Sequence, residues 1–157
     1  MNSRVVAIVG IILALWMSLG RWLFGIGGTL SWWYVPTIGL VFVILQLWLA
    51  RRLTVTRERG KRTSRSTIVS LVLAWLCAIG FGLTVPDSAD GTLQSILGLA
   101  SGSAFSVEMS IALCNPLGII AFALAIASLG FAYADARDPK PEEDEVAEGG
   151  MVPHPLS

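Results

Sequence analysis

The sequence predicts an all-α membrane protein with four transmembrane helices, and three observations carry that prediction. Only 14% of the 157 residues are charged and the mean hydropathy is +0.70, whereas soluble domains carry about 25% charged residues. The apolar residues are gathered into four runs, each close to the ~20 residues that a helix needs to cross a hydrocarbon layer. The basic residues fall almost wholly on one set of connections between those runs, as they do in polytopic membrane proteins. Composition of this kind excludes an ordinary water-soluble enzyme.

The spans are placed at about residues 5–24, 32–50, 68–85 and 111–133. The first contains one charge, Arg21, and the other three contain none. Arg4 gives the first run the start of a signal peptide. No A-x-A-like cleavage site follows, because the chain continues Arg21-Trp22-Leu23-Phe24, so the run is expected to stay as an anchor. Residues 1–134 are then one four-helix transmembrane domain. Residues 135–157, charged and containing Pro139, Pro141, Pro153 and Pro155, are expected to form a disordered acidic cytoplasmic tail.

Orientation follows from the Lys and Arg count. The loop 51–67 carries Arg51, Arg52, Arg57, Arg59, Lys61, Arg62 and Arg65, and Arg4, Arg137 and Lys140 fall on the same side. Only Arg21 falls on the other, so both termini are expected inside. Trp22, Trp32, Trp33 and Tyr34 then collect at the outer interface, with Trp48 and Tyr133 at the inner one. The outer segment 86–110 opens on the turn Pro86-Asp87. From Thr92 onward Leu93, Ile96, Leu97 and Ala100 recur at helical spacing, which predicts a short interfacial helix between spans three and four.

Helices in lipid gain most from close backbone approach through small residues. Span one offers Gly10, Ala14 and Ser18. Span three offers Ser70, Ala74, Ala78 and Gly82 at strict four-residue spacing, and span four offers Gly118, Ala121, Ala125 and Ser128. Span two has only Gly39. Spans one, three and four are therefore expected to make the tight contacts, with span two more exposed to lipid. A faint repeat pairs Ile8–Ala14 with Ile68–Ala74, as two parallel hairpins would. Pro116, after Asn115, frees a carbonyl one turn back and predicts a kink in span four.

The chemical inventory is short. His154 is the single histidine, Cys77 and Cys114 lie in separate apolar runs at different depths, and Gly25-Ile26-Gly27-Gly28 reads as an outer turn. No catalytic, cofactor-binding or metal-ligating residue is assigned, and no enzyme activity is expected. Arg21 reads first as an interfacial anchor that snorkels to headgroups. Pairing with Glu108 or another acid of the outer segment, and contact with a substrate, are the alternatives. Gln46 reads as interhelical or interfacial glue.

The loop from Arg51 to Arg65 has seven positive residues against Glu58, and the tail from Asp135 has seven acids against two bases. Arg51, Arg52, Arg57, Arg59, Lys61, Arg62 and Arg65 are expected to contact anionic lipid. The flexible tail is long enough to reach the same arginines. A loop this short, without an aromatic residue, does not predict nucleic-acid binding. Other partners expected are membrane proteins or further copies of the chain.

One local likeness stands out. The run Cys114-Asn115-Pro116-Leu117-Gly118-Ile119-Ile120-Ala121, with Ala125 beyond it, resembles the C-x-P-L-G-I-x-A run of dispanin (interferon-induced transmembrane) proteins. It covers about a tenth of the chain. Dispanins follow the run with a basic loop and a further span, where this chain has an acidic tail, so no function is carried across. The expectation is a small non-enzymatic accessory or assembly subunit of a membrane complex, with an oligomeric transporter or channel component as the alternative. Nine of the eleven basic residues are Arg and Ala, Gly and Leu dominate the helices, which fits a GC-rich bacterial genome and a place in the bacterial cytoplasmic membrane.

Overall fold

The computed structural model describes residues 2–89, 91–102 and 105–137. It is mostly helical. Helix α1 (Ser3–Leu19) tightens into a 3₁₀ turn at Gly20–Phe24. Helix α2 (Thr29–Tyr34) passes through a widened π turn at Val35–Gly39 into α3 (Leu40–Glu58). Pro36 explains the widening: it has no N–H to give the preceding turn, and π turns absorb such interruptions. Helix α4 (Arg65–Thr84) leads to a β-hairpin, β1 (Asp87–Ala89) and β2 (Thr92–Gln94), then the short α5 (Ile96–Ser101) and the long α6 (Val107–Asp135). Four helical stretches are long and apolar enough to cross a membrane: Ser3–Phe24, Thr29–Glu58, Arg65–Thr84 and Val107–Asp135.

Several expected boundaries shift. The outer segment is not one helix from Thr92: Thr92–Gln94 pairs antiparallel with Asp87–Ala89, and the helix starts only at Ile96, capped by the Ser95 hydroxyl. Gly91, at φ 78°, supplies the left-handed turn between the strands. The expected basic loop is largely helix, since α3 runs to Glu58 and α4 begins at Arg65. Asp135, where the sequence places the start of the tail, is the last residue of α6. Residues 138–157 lie outside the described residues.

The four long helices form a square. Helix α1 packs on α3 and α4, and α6 packs on the same two, with α4 against α6 the most extensive contact. This differs from the expected trio of spans one, three and four. Helices α1 and α6 sit on a diagonal, and the bulkier α3 fills the side between them. Gly10 of α1 is what admits α3, because a Cβ there would overlap the Gln46 side chain. The core has a middle layer of Leu13, Met17, Phe42, Ala74, Ala78, Phe81, Ala121 and Ala125. A second layer, toward the end that holds the N-terminus, contains Val6, Leu49, Leu53, Leu71, Leu129 and Ala132. Alanines at the centre let the backbones approach, which is how helices associate tightly when lipid is as apolar as leucine.

Candidate functional site

Each end of the square carries a polar cluster. At the end where the hairpin lies, Arg21 and Asp87 are buried together, 1% and 0% exposed, with Nη1 3.5 Å from Oδ2. The 3₁₀ turn points Arg21 inward over the bundle. Its Nη1 donates to the Pro86 carbonyl at 3.1 Å and its Nη2 to the Ser18 carbonyl at 3.4 Å, and its guanidinium lies 4.8 Å from the centre of the Tyr34 ring. Sequence reading expected a snorkelling anchor first; the geometry instead makes Arg21 a buried partner of an outer-segment acid. That acid is Asp87, and Glu108 is exposed.

Asp87 works as a cap supplied from a distant part of the chain. The first N–H groups of a helix have no intrahelical partner, and the N-cap position of α2 is Gly28, which has no side chain to cap them. The Asp87 carboxylate takes that place. It accepts from Leu30 N at 3.3 Å, Ser31 N at 3.2 Å and Ser31 Oγ at 2.7 Å, and from its neighbour Ser88 N at 2.8 Å. Negative charge is favoured there by the helix dipole as well. Gly28 is required for the approach, since a Cβ would overlap the Ser88 carbonyl oxygen. Burial pushes the Asp87 carboxyl up, but the bonds from Ser31, Gly28 and Ser88 and the Arg21 charge together outweigh it. They hold the group below its ordinary value of 3.8. With its oxygens so occupied, the carboxylate is suited to joining the 20–28 turn, α2 and the end of α4, not to abstracting protons.

At the opposite end the pairing is half exposed. Asp135 Oδ2 accepts from Ser64 N at 2.9 Å and Thr67 Oγ1 at 2.8 Å, closing the end of α6 onto the start of α4. Arg59 donates to the Ala136 carbonyl at 3.0 Å, and Lys61 Nζ to those of Ala136 and Arg137 at 3.3 and 2.6 Å. These cations sit where the last carbonyls of α6 gather partial negative charge. Arg52 stacks 3.8 Å over the Tyr133 ring and donates to its hydroxyl, which also accepts from Trp48 Nε1 at 3.1 Å. Arg51, Arg57, Arg62 and Arg65 are exposed.

The residues predicted to pack lie as follows. Ala14, Ala74, Ala78, Ala121 and Ala125 are buried in the middle layer. Gly82 faces Trp16, whose Nε1 donates to the Ile79 carbonyl at 3.2 Å, and Gly118 faces Phe81. Ser18, Ser70 and Ser128 are buried and donate to carbonyls of their own helices. Asn115 and Pro116 face outward within α6, and among the described residues Asn115 accepts a local contact from Cys114 Sγ. Cys77 and Cys114 are free thiols. Gln46, fully buried, accepts from Trp75 Nε1 at 3.2 Å while its Nε2 has no partner among the described residues. No group of three or more metal-ligating side chains occurs among the described residues.

What sequence reading missed is the convergence on Asp87. Two signals were present: Arg21 and Asp87 are opposite charges at the same end of their spans, and Gly28 leaves α2 without a cap of its own. No protein-family model matches the chain, and neither a curated protein nor a solved structure does.

Proposed function

We propose that this is a non-enzymatic multi-pass protein of the bacterial cytoplasmic membrane, with both termini inside, serving as an accessory or assembly subunit of a membrane complex. One observation carries the reading: among the described residues the buried polar side chains mostly hold the chain to itself, with Arg21 Nε and Gln46 Nε2 the buried atoms left without a partner. Asp87 binds both Arg21 and Ser31, and Ser18, Ser70, Thr84 and Ser128 bond back to their own helices. The features left for other molecules are outward-facing: the lipid-facing sides of the helices, the aromatic ring of Trp22, Trp32 and Trp33, and the exposed arginines. The excess of basic residues at the end with Arg59 and Lys61 supports placing that end in the cytoplasm, where the same residues meet anionic lipid. The short helix α5 then lies at the outer interface.

Two measurements test this. In a chain with Cys77 and Cys114 replaced by Ala, an impermeant thiol reagent applied to intact cells should label Gly91→Cys and spare Gly60→Cys; labelling of position 60 would overturn the orientation. Purified from native membrane in mild detergent, the protein should run as a complex of fixed stoichiometry with another membrane protein. Recovery of this chain alone, together with solute flux in reconstituted vesicles, would overturn the subunit role in favour of a transporter.

A further inference from the structure

The outward face of α3 carries Ile44, Leu47, Trp48, Arg51, Arg52 and Val55, which recur at the spacing that puts side chains on one helical face. They line an open groove of about 590 Å³, within the ~300–1,000 Å³ typical of ligand clefts. The groove is graded along its length. Ile44, Leu47 and Trp48 make an apolar wall, and Arg51 and Arg52 follow it, their Cα atoms roughly 5–12 Å further along the axis by the rise of a helix. We infer that this groove holds one anionic phospholipid, its phosphate on Arg51 and Arg52 and an acyl chain along Ile44, Leu47 and Trp48.

Three features favour that occupant. The positive charge and the apolar wall sit at the separation of a lipid headgroup from the upper part of its chains, whereas a soluble anion would need only the arginines. The groove is built rather than incidental, because Tyr133 fixes both Trp48 and Arg52 from α6: its hydroxyl accepts from each, and its ring packs edge-on to Trp48 with centroids 6.5 Å apart. Arginine suits the role, since its planar fork bonds phosphate oxygens two at a time. Of the seven basic residues expected to meet lipid, Arg59 and Lys61 already bond the end of α6, Arg57 and Arg62 line a mainly polar cleft with Asn2 and Thr63, and Arg51 and Arg52 share theirs with a mainly apolar wall. The inference rests on the helices spanning a membrane.

Native mass spectrometry of the full chain in detergent tests it, with phosphatidylglycerol compared against phosphatidylcholine of identical chains. The protein should retain one phosphatidylglycerol in preference to phosphatidylcholine. Arg51→Gln, which leaves the Tyr133 contacts untouched, should weaken retention about fivefold, whereas Arg4→Gln, outside the groove and outside the seven residues expected to meet lipid, should leave it unchanged. Glycerophosphate and inorganic phosphate, which lack chains, should not displace the lipid. Equal retention of the two lipids, no effect of Arg51→Gln, or displacement by either soluble anion would overturn the proposal. Failure of the membrane reading looks different: the chain would then stay in solution without detergent.

Discussion

The two ends of the bundle use the same chemistry in different surroundings. At one end a single carboxylate joins the 20–28 turn, α2 and the end of α4, and it and Arg21 are both buried. At the other, Asp135, Arg59 and Lys61 make bonds of similar length, but Arg59 is exposed and Asp135 and Lys61 are half-buried. A buried pair that loses one member leaves an uncompensated charge, which costs far more than the intact pair contributes. An exposed pair loses little, because water replaces the missing partner. The hairpin end should therefore be brittle and insensitive to salt, and the end with Arg59 and Lys61 tolerant and salt-sensitive.

The largest expected effect is at Asp87. Asp87→Ala should destabilise the protein by about 3–5 kcal/mol in reversible unfolding in detergent, as it strands Arg21 and uncaps α2 together. Next comes Gly28→Ala, where the new Cβ meets the Ser88 carbonyl, a backbone atom that cannot swing aside. A loss of about 1–3 kcal/mol is expected. Gly130→Ala, at a position with open space around it, should be neutral or slightly stabilising, because alanine is the better helix former.

These positions also mark what the sequence made legible. Apolar run length found the four long helices, since any stretch that long and that apolar has few other forms to take. The four-residue spacing of Ser70, Ala74, Ala78 and Gly82 defines one face of α4, but nothing in α4 alone says that α1 and α6 would cover it. Boundaries were less legible: helical hydrogen bonding continues past the last apolar residue, so α3 and α6 extend into charged sequence. Arg21 reads first as an interfacial anchor, and only second as the partner of an outer-segment acid, because its nearest sequence neighbours are aromatic and apolar. Its partner lies beyond two further spans, and periodicity does not say which connections meet. The hairpin was hidden because three-residue strands carry almost no alternation.

Acid should expose the same contrast. The Asp87 carboxyl is held below 3.8 in the folded protein. A carboxyl depressed in this way contributes stability above its unfolded pKa and loses it as pH falls through the folded one. The stability difference between the wild type and Asp87→Asn should therefore hold steady from neutral pH to about pH 5 and shrink on further acidification. A difference that grew on acidification would reverse the sign of the argument.

The smallest loss belongs to the other end. Arg59→Gln together with Lys61→Gln should cost on the order of 0.3–1 kcal/mol for each cation removed from the α6 C-terminus. That cost should fade in high salt, while the effect of Asp87→Ala persists, since buried charges are screened far less.

The most direct test of the buried lock is a double-mutant cycle on Arg21 and Asp87. Arg21→Met and Asp87→Ala should each be strongly destabilising, and the double variant should be markedly less so than their sum. A coupling of about 2 kcal/mol or more is expected for contacting members of one network. Additivity within about 0.5 kcal/mol would mean that the two residues act independently, and would contradict a buried ion pair as the tie at this end of the bundle.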